Sequence, residues 1–210
     1  MSSNLEEEIL VDVKEQICPL LEDQSVLDAL MKLLTSTRVK KAMSSLRETQ
    51  PLIMSIGERQ GTKKDKTLID SIMYLFEVEV SANLIFDILI MLLSAKGHFF
   101  HIKPDRDHRF IRHAVSIEDL ASKDIPLGMK HDFLIKHKIC CVEKYIKLSL
   151  RNKIAHMEFE IDEKGNFFKY KYEGKELEKK QVDIWLRLQE IIYFTSAVTH
   201  QINLAAKKTL

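Results

Sequence analysis

The residues best placed by type and spacing to do chemistry lie in one short run, Arg151-Asn152-Lys153-Ile154-Ala155-His156. It sets a guanidinium, an amide and an imidazole close together in the chain. RNA can be cut by its own 2′-hydroxyl attacking the adjacent phosphorus. That step needs a base for the hydroxyl proton, an acid for the leaving oxygen, and positive charge on the pentavalent phosphate. An imidazole can perform either proton transfer near neutral pH. An arginine stays protonated and offers a fork that matches phosphoryl oxygens. Asn152 can orient the imidazole or hold an oxygen. One chain supplies a single convincing Arg/His pair. A two-fold dimer would bring two pairs into one cleft and so provide two imidazoles for the two proton transfers.

Spacing alone does not single this run out. The chain holds 8 Arg and 8 His, so at any one spacing about 0.3 pairs arise by chance. Arg106 and His113 form a second match of similar spacing. Context favours Arg151. Between Lys130 and Lys153, seven basic side chains stand against Asp132 and Glu143, inside a chain of net charge +1. On a continuous helix, Lys144, Lys147 and Arg151 share one face and His137 falls near the same line. That basic stripe lies opposite an apolar one (Ile135, Ile139, Val142, Ile146), and phosphate is attracted to such a stripe. Lys144, Lys147, Lys153 and His137 are therefore the candidate RNA contacts. Five steps of regular helix rotate His156 about 140° from Arg151. The pair converges only if the backbone breaks there, and the pattern changes at that point.

The elements around the run follow from periodicity. Helical spacing predicts helices over Leu5 to Leu21, Ser25 to Leu34, Val39 to Ile56 and His131 to Leu150, with a charged turn from Gly57 to Asp65. The longest periodic stretch runs from about Thr67 to Lys96. Its second half, Leu84 to Leu93, is apolar nearly all round apart from Asp87. It is too short to span a bilayer and reads as a helix buried on several sides; a second subunit is one way to cover it. Ser116 to Asp119 resembles a capping box. After His156 the period falls to two. Met157, Phe159 and Ile161 alternate with acidic residues, Glu163 to Asn166 supplies a turn, and Phe168, Tyr170 and Tyr172 alternate with lysines. This predicts a β-hairpin with an acidic strand facing a basic one. A last helix is expected from about Glu176 to Lys207.

Composition bounds the rest. A chain of 210 residues with 45% hydrophobic and 30% charged residues forms one domain, or one with a small appendage. Near-neutral charge removes any global argument for nucleic acid. Cys18, Cys140 and Cys141 are odd in number and form neither a disulfide framework nor a metal-ligand spacing, which points to a reducing compartment. Cys140 and Cys141 read as buried thiols. The first eight residues are polar and acidic and lack signal-peptide features, so a cytoplasmic protein without a membrane anchor is expected. The histidines show no zinc-ligand grouping, and neither metal nor cofactor is expected. Phe168, Tyr170, Tyr172 and Trp185 read as core. His101 to His113 reads as a charged loop.

The motif and the order of helix, hairpin and helix around it resemble the HEPN domains, whose signature is an Arg, a polar residue such as Asn, a few residues and then His near a helix end. Arg151, Asn152 and His156 match it. The resemblance covers residues 67–210, leaving 1–66 as an N-terminal helical extension packed on the core. It implies an all-α, up-and-down helical bundle with a small β-hairpin between the last two helices. It also implies a homodimer, metal-independent RNA cleavage leaving a cyclic phosphate, and a role in toxin–antitoxin systems or anti-viral defence. Arg151 and His156 would be catalytic and Asn152 supportive, with an antitoxin or regulatory protein as a further partner. HEPN toxins that are silenced by nucleotidylation carry a Tyr two residues after the His. This chain has Glu158 there, so that control is not implied. The competing reading takes Arg151 as a basic residue at a helix C-terminus in a non-catalytic RNA-, nucleotide- or partner-binding helical module.

Overall fold

The apolar stretch of the middle third dictates the architecture. A computed structural model describes residues 2–37, 39–41, 44, 61–102, 112–114, 116–120, 125–161, 168–170 and 180–209. In it that stretch lies within a helix running without interruption from Lys63 to Ala95. The first two helices of the chain are α1 (Ser2–Gln16) and α2 (Gln24–Thr35), the latter capped by Asp23. The long helix opens with α3 (Lys63–Glu77), continues through a π-helical segment (Val78–Ala82) and ends as α4 (Asn83–Ala95). Thr62 and Asp65 form a capping box that starts α3, so Lys63 to Asp65 belong to the helix rather than to a turn. Most of the third helix predicted from Val39 to Ile56 lies outside the described residues.

The long helix has the length and composition to cross a membrane, yet 67% of its most apolar window is buried inside the fold. Leu84, Ile85, Phe86, Ile88, Leu89, Ile90, Leu92 and Leu93 are all buried. The chain covers them itself, with α2 on one side, the last helix on another, and a helix at Leu127–Lys136 on a third. On these sides α4 is covered from within the chain.

The segment predicted as one helix from His131 to Leu150 is three. After α5 (Ile117–Leu120), closed by the expected reciprocal bonds between Ser116 and Asp119, come α6 (Leu127–Lys136), α7 (Cys141–Tyr145) and α8 (Leu148–Ala155). The break after α6 is a Schellman closure. Lys138 adopts a left-handed φ of 65°, its N–H donates to Ile135 O, and the Ile139 N–H donates to Leu134 O. Gly97 closes α4 by the same pair of bonds at φ 86°. Glycine signals such a stop in a sequence; lysine does not. Between α7 and α8 the backbone extends at Ile146.

Two small sheets interrupt the helices. His101–Ile102 (β1) pairs antiparallel with Arg112–His113 (β2). The predicted hairpin is present as Glu160–Ile161 (β3) against Phe168–Tyr170 (β4), with acidic Glu160 opposite Lys169. Lys180–Val182 (β5) adds a third strand that places Val182 opposite Phe168. The last helix, α9 (Ile184–Thr209), thus begins at Ile184 and not at Glu176. Asp183 sets its start, accepting from the Leu186 N–H at 3.1 Å. Trp185, expected in the core, is half exposed at this N-terminus.

The fold is mainly helical around one core. Ile9 and Val13 of α1, Ile17 just after it, and Val26 and Leu30 of α2 are fully buried in the same cluster as Phe86, Leu89, Leu188, Phe194 and Val198. The core therefore runs unbroken across residue 67. Each such aliphatic or aromatic side chain contributes about 1.5–3 kcal/mol by leaving water, so the N-terminal helices are integral to stability.

Candidate functional site

Arg151 stands in the first half of α8 and His156 at its C-cap. Tyr74 holds this helix against α3. The buried phenol donates to Lys147 O at 3.2 Å and accepts from the Lys147 N–H at 3.0 Å, and these two bonds pin the residue before α8. One turn later the Arg151 guanidinium reaches Glu79 in the π-helical segment, with both Nε and Nη2 against Oε1. Nη1 donates to Asn152 Oδ1 at 2.8 Å. The Arg151 side chain remains 27% exposed. It is oriented by a carboxylate and an amide while part of it still faces solvent.

Glu79 carries no signal in the sequence: it sits 72 positions from Arg151, and only the packing of α8 on α3 brings the two together. π-Helical turns inside α-helices occur preferentially at functional sites, and here that turn supplies the carboxylate.

The expected backbone break falls one residue later than the motif spacing asks. The His156 N–H still donates to Asn152 O at 3.0 Å, and its φ of −93° and ψ of 5° keep it close to the helical path. The left-handed residue is Met157, at φ 55°. The Met157 N–H donates to Ile154 O and the Glu158 N–H to Lys153 O, a third Schellman closure. The break does not swing His156 round onto the Arg151 side of the helix. The imidazole is exposed, as are Asn152 and Met157.

The basic stripe is not one stripe. Lys144 lies on α7, Lys147 in the extended link and Arg151 on α8, so the single helical face does not exist. Lys144 Nζ is held by Glu8 at 2.8 Å and Asp12 at 2.6 Å on α1. Tyr145 also donates to Asp12, at 2.5 Å. Burial raises the Asp12 carboxyl, but the bonds from Lys144 and Tyr145 together outweigh it and hold the group below its usual range; burial first, then the bond to Asp12, pushes the Tyr145 phenol above its own. Lys147 Nζ donates to Glu143 O at 2.7 Å. Lys153 pairs with Glu158, whose carboxyl is lowered by the Lys153 bond and charge, with a further contribution from His156. His137 caps α6 and packs in tilted contact with Phe133 and His98, at 4.4 and 4.6 Å between ring centres. Burial, then the charges of His98 and Lys136, depress its basicity. His98 follows the far end of α4, roughly 25 Å of helix from Glu79. The structure thus brings Arg151, Asn152 and Glu79 together and leaves His137 elsewhere.

The rival match at Arg106 lies outside the described residues. Cys141 is buried and its thiol is pushed up to about 12 by burial and the Asp12 charge; Cys140, expected to be buried, is exposed. Among the described residues no three His, Cys, Asp or Glu side chains group as metal ligands. No family model matches the chain, and no curated protein or solved structure matches it either.

Proposed function

We propose that this protein is a metal-independent endoribonuclease of the HEPN kind, acting as a cytoplasmic homodimer in toxin–antitoxin or anti-viral defence. The observation that carries the reading is the state of Arg151: oriented by Glu79 and Asn152, still partly open to solvent, and followed at the same helix end by the exposed His156. An oriented guanidinium meets the requirement for stabilising a pentavalent phosphate with little reorganisation. His156 serves as proton carrier. Within one helix the two side chains diverge, so the reading requires a second copy that brings both Arg/His pairs into one cleft. A second reading is a non-catalytic helical module that binds RNA, a nucleotide or a protein partner, with the Arg151–Glu79 pair a structural tie; pairing of Lys144 and Lys153 with Glu8, Asp12 and Glu158 favours its partner-binding form.

The test is cleavage of a generic single-stranded RNA by the purified chain in chelator. The wild type is expected to cut and leave cyclic phosphate ends. Arg151→Ala and His156→Ala should each lose about a hundredfold or more. If His156→Ala cuts as well as the wild type, the nuclease reading fails and the binding module stands.

A further inference from the structure

A cavity of about 400 Å³ opens between α2, the α3–α4 helix and α9, within the range of small-molecule sites. None of Arg151, Asn152 or His156 lines it. One wall is aliphatic, formed by Leu34, Leu84, Ile85, Ile88 and Ile192. Another is polar, formed by Glu77, Ser81, Thr195 and Thr199, with Ser196, His200 and Asn203 exposed. Glu77 is only 7% exposed, an unusual place for a carboxyl group unless something compensates it.

The buried and half-buried polar groups are alike in one respect. Thr195 Oγ1 donates its proton to Ile191 O at 3.0 Å, and Thr199 Oγ1 donates to Thr195 O at 2.7 Å. Ser81 donates to the Glu77 carboxyl. With all three hydroxyl protons committed to partners in the protein, these side chains present acceptor lone pairs. An ammonium has three donors and no acceptor. A carboxylate or phosphate would meet Glu77 and a row of lone pairs. A neutral hydrocarbon would leave the carboxyl desolvated without compensation.

We propose that this cavity binds a small amphipathic amine, its ammonium against Glu77 and the hydroxyl acceptors, and its alkyl or aryl body against Leu84, Ile85, Ile88 and Ile192. Burial raises the Glu77 carboxyl above its usual range, with the Ser81 bond opposing. A bound cation favours the ionised form and releases a proton where Glu77 was protonated. Glu77 and His200 are the titratable groups among the described lining residues.

The test uses the whole chain and three eight-carbon probes of one shape: octylamine, 1-octanol and octanoate, each titrated calorimetrically at neutral pH. Octylamine is expected to bind saturably with one site, at the millimolar concentrations or below that so small a ligand reaches. It should bind about tenfold or more tighter than octanol, with octanoate weakest. Glu77→Gln should cut octylamine affinity about tenfold and leave octanol unchanged. Should that variant not fold, Thr199→Val at a half-buried position decides, weakening octylamine alone. The proposal is overturned by octanoate or octanol binding as tightly as octylamine, by wild-type affinity in the decisive variant, or by no saturable octylamine binding. RNA cleavage plays no part in this readout, so the outcome is independent of the nuclease reading.

Discussion

Removing the ammonium of Lys130 should unfold this protein far more readily than its distance from the motif suggests. Lys130 is 2% exposed and Asp87 0%. The ammonium sits 2.6 Å from Asp87 Oδ1 as a counter-ion and directs a hydrogen bond of 2.7 Å to Asn83 Oδ1. The pair ties α6 to α4, and α6 leads through α7 to the helix that carries Arg151. Lys130→Met preserves the length and apolar stem but takes the positive charge from beside a fully buried carboxylate. Breaking such a pair costs about 3–5 kcal/mol, a large part of the roughly 5–15 kcal/mol that holds a domain folded. Replacing both partners, as in Lys130→Met with Asp87→Leu, should restore most of the loss, because the desolvation of both charges disappears with them. Urea unfolding followed by far-UV circular dichroism gives the midpoint at constant slope. The single variant should also recover as pH falls. Its carboxyl, raised by burial without the cation, becomes protonated, and stability lost at neutral pH returns in acid. A loss below about 1 kcal/mol in the single variant, the value of a solvated pair, would refute the reasoning. So would a double variant no more stable than the single one.

Glu79→Gln should lower kcat for RNA by roughly tenfold to a hundredfold, since the oriented guanidinium loses its charged acceptor. KM should hold or fall, because a negative charge leaves the vicinity of a phosphate site; steady-state kinetics showing the reverse split would remove Glu79 as a positioning residue. Asp70, half-buried, is pushed up to about 6 by burial and by the charge of Asp183. A carboxyl whose folded pKa is raised loses stability as pH climbs through the window between about 4 and 6. Discounted for its exposure, the effect is on the order of 1 kcal/mol, so Asp70→Asn should gain that much at pH 7 and nothing near pH 4, and equal gains at both would contradict it. Met157→Gly should raise the melting temperature, since the left-handed φ of 55° costs a non-glycine residue about 1 kcal/mol, offset in part by the freer unfolded chain. A lower melting temperature would show that the Met157 side chain contributes more than its backbone strain costs.

Local physics makes much of this architecture legible in the chain itself. The 3.6-residue period marks the helices, the Ser116–Asp119 box closes as its residue types imply, and acidic and basic strands meet with Glu160 opposite Lys169. The motif's place at a helix end is equally local, because a change of period from helix to strand is written in neighbouring residues. Tertiary structure decided the rest. Lys138 stops its helix in a conformation that only glycine advertises and the backbone extends at Ile146 without a breaker residue, so three short helices read as one. A strand at Lys180–Val182 took residues whose spacing suited a helix, since pairing with β4 outweighs a weak local preference. The long-range ion-pair partners of charged residues were not legible. Lys144 turns to Asp12, Lys130 to Asp87 and Arg151 to Glu79 across 132, 43 and 72 positions of chain. An ion pair depends on which helices pack together, and no spacing within one helix records that.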